Sequence, residues 1–493
     1  MERISKLYKK LTGKEPQSIV PLAGAGSNRQ YFRLVGEEEE LSNVNCQLSS
    51  LIAVIGTNQE ENEAFIDLAK RFKKGGLPVP AVLAVSDDRM VYLQEDCGDT
   101  SLYAFMAQHR QADGTLDAEA MEALKATIRE LPRFQFFPIV SHTADKFFDH
   151  CFPQREMDRT SIMFDLNYFK YCFLKLKSVE FNEYKLQQDI ERLTDDLLDD
   201  QQDTFLYRDF QSRNVMLKDG KPYFIDFQGG RRGPIYYDVA SFLWQSSAKF
   251  SDETRNLLID EYLNAVECQM DNVKFKCRLH LFVLFRILQV LGAYGYRGLW
   301  EKKAYFANSI PLAIRNLQQE LVLGTCDAYP YLKEVAQSLI DLNAEEEKCR
   351  AGEDHLVVDV FSFSFKKGIP EDQSGNGGGY VFDCRSTNNP GRYAEYKTLT
   401  GLDQPVINFL EQDGEILTFL ESVYQLVDFH VARFQQRGFT HLQVSFGCTG
   451  GQHRSVYSAQ HVAEHIHEKF GVEVRICHRE QGITQFLPLT SHR

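Results

Sequence analysis

Apolar positions change their period along this chain, and the changes outline its elements. Between residues 19 and 35, short apolar pieces flank Gly24-Ala25-Gly26-Ser27-Asn28, which predicts a strand, a glycine-rich turn and a second strand. A third strand is expected at 51–55. Ala64, Phe65, Leu68, Ala69 and Phe72 then recur at helical spacing over 60–74, and Gly75-Gly76 ends the run. Strand pattern returns at 90–94, so this opening region reads as a small β lobe with one helix. From 101 to 200 the pattern is mostly helical, including 118–134 and the amphipathic run 185–199. Short strands at 204–207 and 223–227 interrupt it, and helices resume from 237 to 342. The polar stretch 343–354 has little to bury; it predicts a linker at 346–354 between domains 1–345 and 355–493. Beyond it, strands at 355–363, 380–384, 442–446 and 472–477 alternate with helices at 405–410, 416–434 and 453–470, which indicates an α/β sandwich.

The densest chemistry is Tyr207-Arg208-Asp209-Phe210-Gln211-Ser212-Arg213-Asn214, followed by Phe224-Ile225-Asp226-Phe227. Phosphoryl transfer needs a group that accepts the substrate hydroxyl proton and oxygen ligands that hold Mg²⁺ across the nucleotide phosphates. Asp209 suits the first task. Asn214 and Asp226 suit the second, because Mg²⁺ prefers such oxygens and keeps several waters. The D-x-x-x-x-N spacing lets one loop present acid and amide to a single cleft, although ordinary turns are also rich in both residues. The I-D-F twelve residues after Asn214, with the glycine-rich hairpin upstream, favours the catalytic reading. In that hairpin Gly24, Gly26 and Ser27 offer backbone N–H groups to phosphate, while a plain hairpin uses the same residues. Backbone around Gln94 and Glu95, where a strand meets the interlobe linker, is the expected adenine seat, and its side chains do not choose between ATP and GTP.

These residues resemble the aminoglycoside/choline phosphotransferase family, and within it the kinases acting on the anomeric hydroxyl of N-acetylmuramate or N-acetylglucosamine. The pattern L-x-R-D-[FY]-x-x-x-N is similar to Leu206 through Asn214, and L-x-D-F-Q to Ile225-Asp226-Phe227-Gln228. G-P-x-x-Y-D-L-A-S resembles Gly233-Pro234-Ile235-Tyr236-Tyr237-Asp238-Val239-Ala240-Ser241, and G-D-A-S-x-R-x-Y-x-R resembles Gly26 through Arg33. The resemblance spans residues 15–330. It implies an α+β, protein-kinase-like, two-lobed domain with a small β lobe and a large helical lobe. It also implies ATP and Mg²⁺ as cofactors, an amino-sugar acceptor, Asp209 as base, Asn214 and Asp226 as metal ligands, and Asp238 as a brace for the catalytic loop. One departure concerns the Lys that protein kinases carry on the third strand; 51–55 has none, leaving Arg29 or Arg33 to supply that charge.

A second motif, Gly447-Cys448-Thr449-Gly450-Gly451-Gln452-His453-Arg454-Ser455, lies between an apolar strand and a long helix. Successive N–H groups at a helix start favour an anion, which Arg454 is placed to clasp. The string also satisfies Cys-x5-Arg-Ser, by which tyrosine phosphatases set a thiolate beneath phosphate. Gly447, however, stands where those enzymes usually have His, and no general-acid loop is evident. The string resembles G-C-T-G-G-x-H-R-S-V of the RapZ family's C-terminal domain, as do Ser362 through Pro370, Val381 through Arg385, Leu399 through Asp403 and His478-Arg479-Glu480. Over 355–480 this likeness implies a separate α/β phosphate-binding domain that senses a phosphorylated amino sugar. Its candidate contacts are Lys366, Arg385, Cys448, Thr449, Gly450, Gly451, His453, Arg454, Ser455 and His478.

The family also implies RNA binding, and here charge changes the picture. Net charge is −14, the stretch 351–493 holds 12 basic against 17 acidic residues, and the tail 481–493 lacks a basic cluster. Phosphate neutralisation supplies most non-specific affinity, so RNA is disfavoured. Eleven cysteines without a C-x-x-C pair read as reduced thiols, which with the absence of an apolar leader favours a cytoplasmic protein. The most apolar run, 279–296, contains His280, Arg286 and Gln289 and reads as a buried helix, so no membrane partner is expected. His461, His465 and His467 share one helix and read as solvated or core residues, and no structural metal is expected. The sequence sets no oligomeric state. The reading it favours is an ATP-dependent amino-sugar kinase with a ligand-sensing C-terminal domain; a non-catalytic adaptor for RNA or protein and a Cys448 phosphatase stand as alternatives.

Overall fold

The computed structural model describes residues 1–22, 29–36, 50–111, 113–142, 144–200, 203–266, 271–351, 355–372 and 378–490. The chain divides into two units, Met1–Asn343 and Ala344–Arg493.

The first unit opens with α1 (Glu2–Thr12), β1 (Ser18–Leu22), β2 (Gln30–Val35), β3 (Ser50–Ile55), α2 (Gln59–Lys74), β4 (Val82–Val85) and β5 (Val91–Glu95). The five strands form one antiparallel sheet in the order β1-β2-β3-β5-β4. Central β3 and β5 are nearly continuous buried apolar runs, as strands covered on both faces require. On one face Ile4, Leu7 and Tyr8 of α1 close a small core with Leu34, Leu51, Ala53, Val91 and Leu93. On the other, Phe65, Leu68, Ala69 and Phe72 of α2 join the main core. Asn58 caps α2 by accepting the Glu61 N–H, while acidic residues at its start and basic residues at its end suit the helix dipole. Both α1 and β4 went unread in the sequence.

Helices follow: α3 (Ala118–Gln135), α4 (Arg159–Phe169) and α5 (Glu183–Leu198), capped by Asp117, Asp158 and Asn182 respectively. Then come β6 (Phe205–Leu206), β7 (Val215–Lys218), β8 (Lys221–Phe224), β9 (Arg231–Arg232), α6 (Tyr236–Leu243) and α7 (Asn272–Tyr294). The strands make two short antiparallel pairs, β6 with β9 and β7 with β8. Between them these pairs hold the segments 207–214 and 225–230. Among the described residues, one helical stretch, Asn272–Trp300, is long and apolar enough to cross a membrane, and two-thirds of its most apolar 18-residue window is buried.

Helix α8 (Pro330–Ala351) corrects the expected linker at 346–354, because the backbone stays helical through Ala351. Its glutamates and lysine are good helix formers, and their polarity was mistaken for lack of structure. Residues 352–354 lie outside those described.

The second unit contains β10 (Val357–Ser364), β11 (Gly379–Asp383), α9 (Gln404–Glu411), α10 (Glu415–Arg437), β12 (His441–Cys448), α11 (Arg454–Phe470), β13 (Glu473–His478) and β14 (Ile483–Leu487). Its sheet order is β11-β12-β10-β13-β14, parallel except for the antiparallel edge β14, which was not foreseen. Val358, Val360, Val444, Phe446, Val474 and Ile476 from the central strands pack with Val427 and Val431 of α10 and Val462 and Ile466 of α11 in a core of this unit's own.

Candidate active site

The loop 207–214 is held in shape by its own backbone and one buried acid. Arg208 has φ 75°, a left-handed conformation costly for a side chain of its size. Asp238, fully buried on α6, accepts the N–H groups of Tyr207 at 2.7 Å and Arg208 at 2.8 Å, which fixes that turn and delivers Asp209 to the cleft. Asp238 is thus a brace reaching across to the loop; it does not cap its own helix. Burial pushes its carboxyl up to about 7, against the pull of those two N–H groups.

Asn214 joins the two acids. Its Nδ2 donates to the Asp209 carbonyl at 2.8 Å and to Asp226 Oδ2 at 3.3 Å, while the Ile225 N–H donates to the Asn214 carbonyl at 3.0 Å. Asp226 stands just beyond β8 with φ 67°, so the strand expected at 223–227 ends at Phe224 and the chain turns to present the acid. Gln228, unremarked in the sequence beyond its place in the motif, donates to Asp226 Oδ1 at 2.6 Å. Burial first, and the charge of Asp209 second, hold the Asp226 carboxyl above its ordinary range. A divalent cation relieves that imbalance, so the donor set of Asp226 and Asn214 fits Mg²⁺ completed by phosphates and water. Such a site needs no cluster of three His, Cys, Asp or Glu, and the described residues contain none.

Nearby cations sort themselves. Arg29 is buried, pairs with Glu61 of α2 at 3.2 Å and counters the charge of Asp226. Arg33 is instead tied to Asp96 at 2.6 Å and Asp99 at 2.7 Å where the lobes join. Glu95, where backbone is expected to seat adenine, ends β5. Its N–H donates to the Ala81 carbonyl and its carboxylate is held by Lys73 and Lys218, each at 3.0 Å. Gln94 is buried beside it. Gly24, Gly26 and Ser27 lie outside the described residues.

In the second unit the loop after β12 gathers Cys448, Thr449, Gly450, Gly451 and Ser455. Cys448 Sγ accepts the Gly451 N–H at 3.1 Å and lies 3.2 Å from Ser455 Oγ. Burial raises this thiol, but the Ser455 hydroxyl and the N–H groups of Ser455, Gln452 and Gly451 outweigh it and leave the group below its ordinary value. Gly450 faces open space. Other expected contacts are committed elsewhere. Arg454 Nη1 donates to the carbonyls of Arg385 and Thr387, Arg385 forks onto Asp383, and His453 Nε2 lies 2.9 Å from the Tyr396 carbonyl. His478 is a correction: fully buried, it is bonded through both ring nitrogens to Ser362 and Gln460, and burial lowers it to about 4, which makes it a neutral core residue. Lys366 is exposed on the turn after β10.

Residues 18–271 match the phosphotransferase enzyme family, and residues 356–482 match the RapZ C-terminal domain. A nucleotide-binding protein of Xylella fastidiosa (strain M12) is 35% identical over 182 residues, 35% of this chain and 58% of that protein. One from Acidithiobacillus ferrooxidans (strain ATCC 53993 / BNL-5-31) is 42% identical over 132 residues, 27% of this chain and 42% of that protein. The chain thus spans less than two thirds of the length of these relatives. Among solved structures, the GDP complex of an aminoglycoside 2′-phosphotransferase-IIIa mutant aligns at TM-score 0.44 and 12% identity, covering 66% of this chain and 99% of that one. A choline kinase from Cryptosporidium parvum Iowa II aligns at TM-score 0.43 and 12% identity, covering 65% and 93%.

Proposed function

Because this chain belongs to the phosphotransferase enzyme family, we propose that its first unit transfers the terminal phosphoryl group of ATP to a hydroxyl of an amino sugar resembling N-acetylglucosamine or N-acetylmuramate. Asp209 accepts the hydroxyl proton as the oxygen attacks phosphorus. Asn214 and Asp226 would hold Mg²⁺, which would supply positive charge against that of the phosphates. Arg29, paired to Glu61, adds positive charge on the side of β2. One observation supports this reading: the Asn214 amide donates to both the Asp209 carbonyl and the Asp226 carboxylate, which holds the loop of Asp209 beside Asp226.

Asp209→Asn is expected to lower ADP release with N-acetylglucosamine or N-acetylmuramate by about 10²- to 10⁴-fold. Calorimetric binding of ATP with Mg²⁺ should persist. Unchanged turnover in that variant would sink the assignment.

The second unit senses a phosphorylated amino sugar in the loop 449–455, whose N–H groups already converge on Cys448 Sγ. It does so in the cytoplasm, where its thiols stay reduced. A non-catalytic adaptor is the second reading, favoured by the RapZ C-terminal match and the lysine-free β3. An adaptor yields no ADP with any acceptor.

A further inference from the structure

Beside the catalytic loop lies a cavity of about 260 Å³, walled in part by Gln154, Phe164, Asp165, Arg208, Arg231 and Tyr237. It adjoins the base. Arg231 on β9 pairs in register with Leu206, and a Cβ on Gly229 would stand 3.7 Å from both Arg208 Nη1 and Asp209 Oδ2. Arg231 is only 5% exposed. Its Nε donates to the Gly229 carbonyl and its Nη1 to Gln154 Oε1, each at 3.3 Å, while Nη2 has no hydrogen-bond partner among the described residues. Asp165, the acid across the cavity, forms no ion pair with it among those residues; it accepts instead from Gln289 Nε2 at 2.5 Å. A buried guanidinium with an open donor is costly, so a wall built this way is completed by an acceptor oxygen. The cavity is also small. Drug-sized ligands fill roughly 300–1,000 Å³, so this space is the size of one sugar ring.

We propose that Arg231 selects the acceptor of the phosphotransfer reading above, gripping a carboxylate or phosphate oxygen of a monosaccharide-sized substrate whose hydroxyl faces Asp209. Phe164, 66% exposed, supplies an apolar edge for the ring.

The test uses the full chain with four acceptors: N-acetylmuramate and galacturonate as carboxylates, N-acetylglucosamine 6-phosphate as a phosphate, and neutral N-acetylglucosamine. Wild type should favour at least one acid. Arg231→Gln should lower kcat/KM for that acid about 10- to 100-fold more than for the neutral sugar. Arg231→Lys, keeping charge without the planar fork, should fall between them. Equal losses on acid and neutral sugars in a folded variant overturn the proposal, as expected if the open donor only holds a water. So does a wild type with no acid preference. If wild type releases no ADP with any acceptor, the kinase reading has failed and calorimetric binding of the same four compounds decides Arg231 separately. Selective acid binding lost in Arg231→Gln supports the site, and its absence refutes it.

Discussion

Asp238 does more for the active site than its distance in sequence suggests. Its two oxygens take the N–H groups of Tyr207 and Arg208, and Arg208 stays at φ 75° because those bonds hold it. Asp238→Ala leaves two buried donors unpaired, so we expect about 2 to 4 kcal/mol loss of stability in urea titration. Below the unfolding range, kcat should fall about tenfold or more with KM little changed, because Asp209 loses its aim while the sugar and nucleotide contacts survive. An equal change in both constants would argue against a positioning role. The motif residues Asp209, Asn214 and Asp226 were legible from type and spacing, whereas Arg231 and Asp165 were not. A basic pair on a two-residue strand and one acid on a helix carry no local signal, and only the cavity joins them.

At the scale of elements, close approach decides what composition leaves open. Gly292 on α7 lies against the backbone of α4, where an added Cβ would stand 2.7 Å from Phe169 N and 3.0 Å from Tyr168 C. Both neighbours are main chain, which cannot move without shifting a helix. Gly292→Ala should therefore lower stability by about 1 to 3 kcal/mol despite better helix propensity, measured by thermal unfolding. A gain in stability would show that the helices have room to part. The most apolar run of the chain marked α7 as a buried helix, but its partner and the gap between them belong to the packed unit.

The main cores of the two units are separate, which shapes the behaviour of the whole molecule. One gathers Ile52 to Ile340 and the other Leu356 to Ile476, with no residue shared. Calorimetry on the intact chain should resolve two transitions. ATP with Mg²⁺ should raise the first unit's transition, the one Gly292→Ala lowers, and glucosamine 6-phosphate should raise the other. At a hundredfold excess over Kd each ligand adds about 2.7 kcal/mol to the unit it binds. A phosphosugar that moves only the Gly292-sensitive transition would place its site in the wrong unit.

Local patterning determined the small β lobe, the helical body, the alternating strands and helices of the second unit and both chemical motifs, because strand and helix periods and glycine-rich turns are written over a few neighbouring residues. It missed β4 and β14, short strands at sheet edges, and α1, although Ile4, Leu7, Tyr8 and Leu11 stand at helical spacing there, and it read the charged end of α8 as a linker. Tertiary structure alone decided that Arg29 meets Glu61 while Arg33 serves Asp96, that His478 is core, and that Arg231 has an open donor in a cavity. Each depends on which side chains burial brings within bonding distance, a property of three-dimensional packing that residue order does not carry.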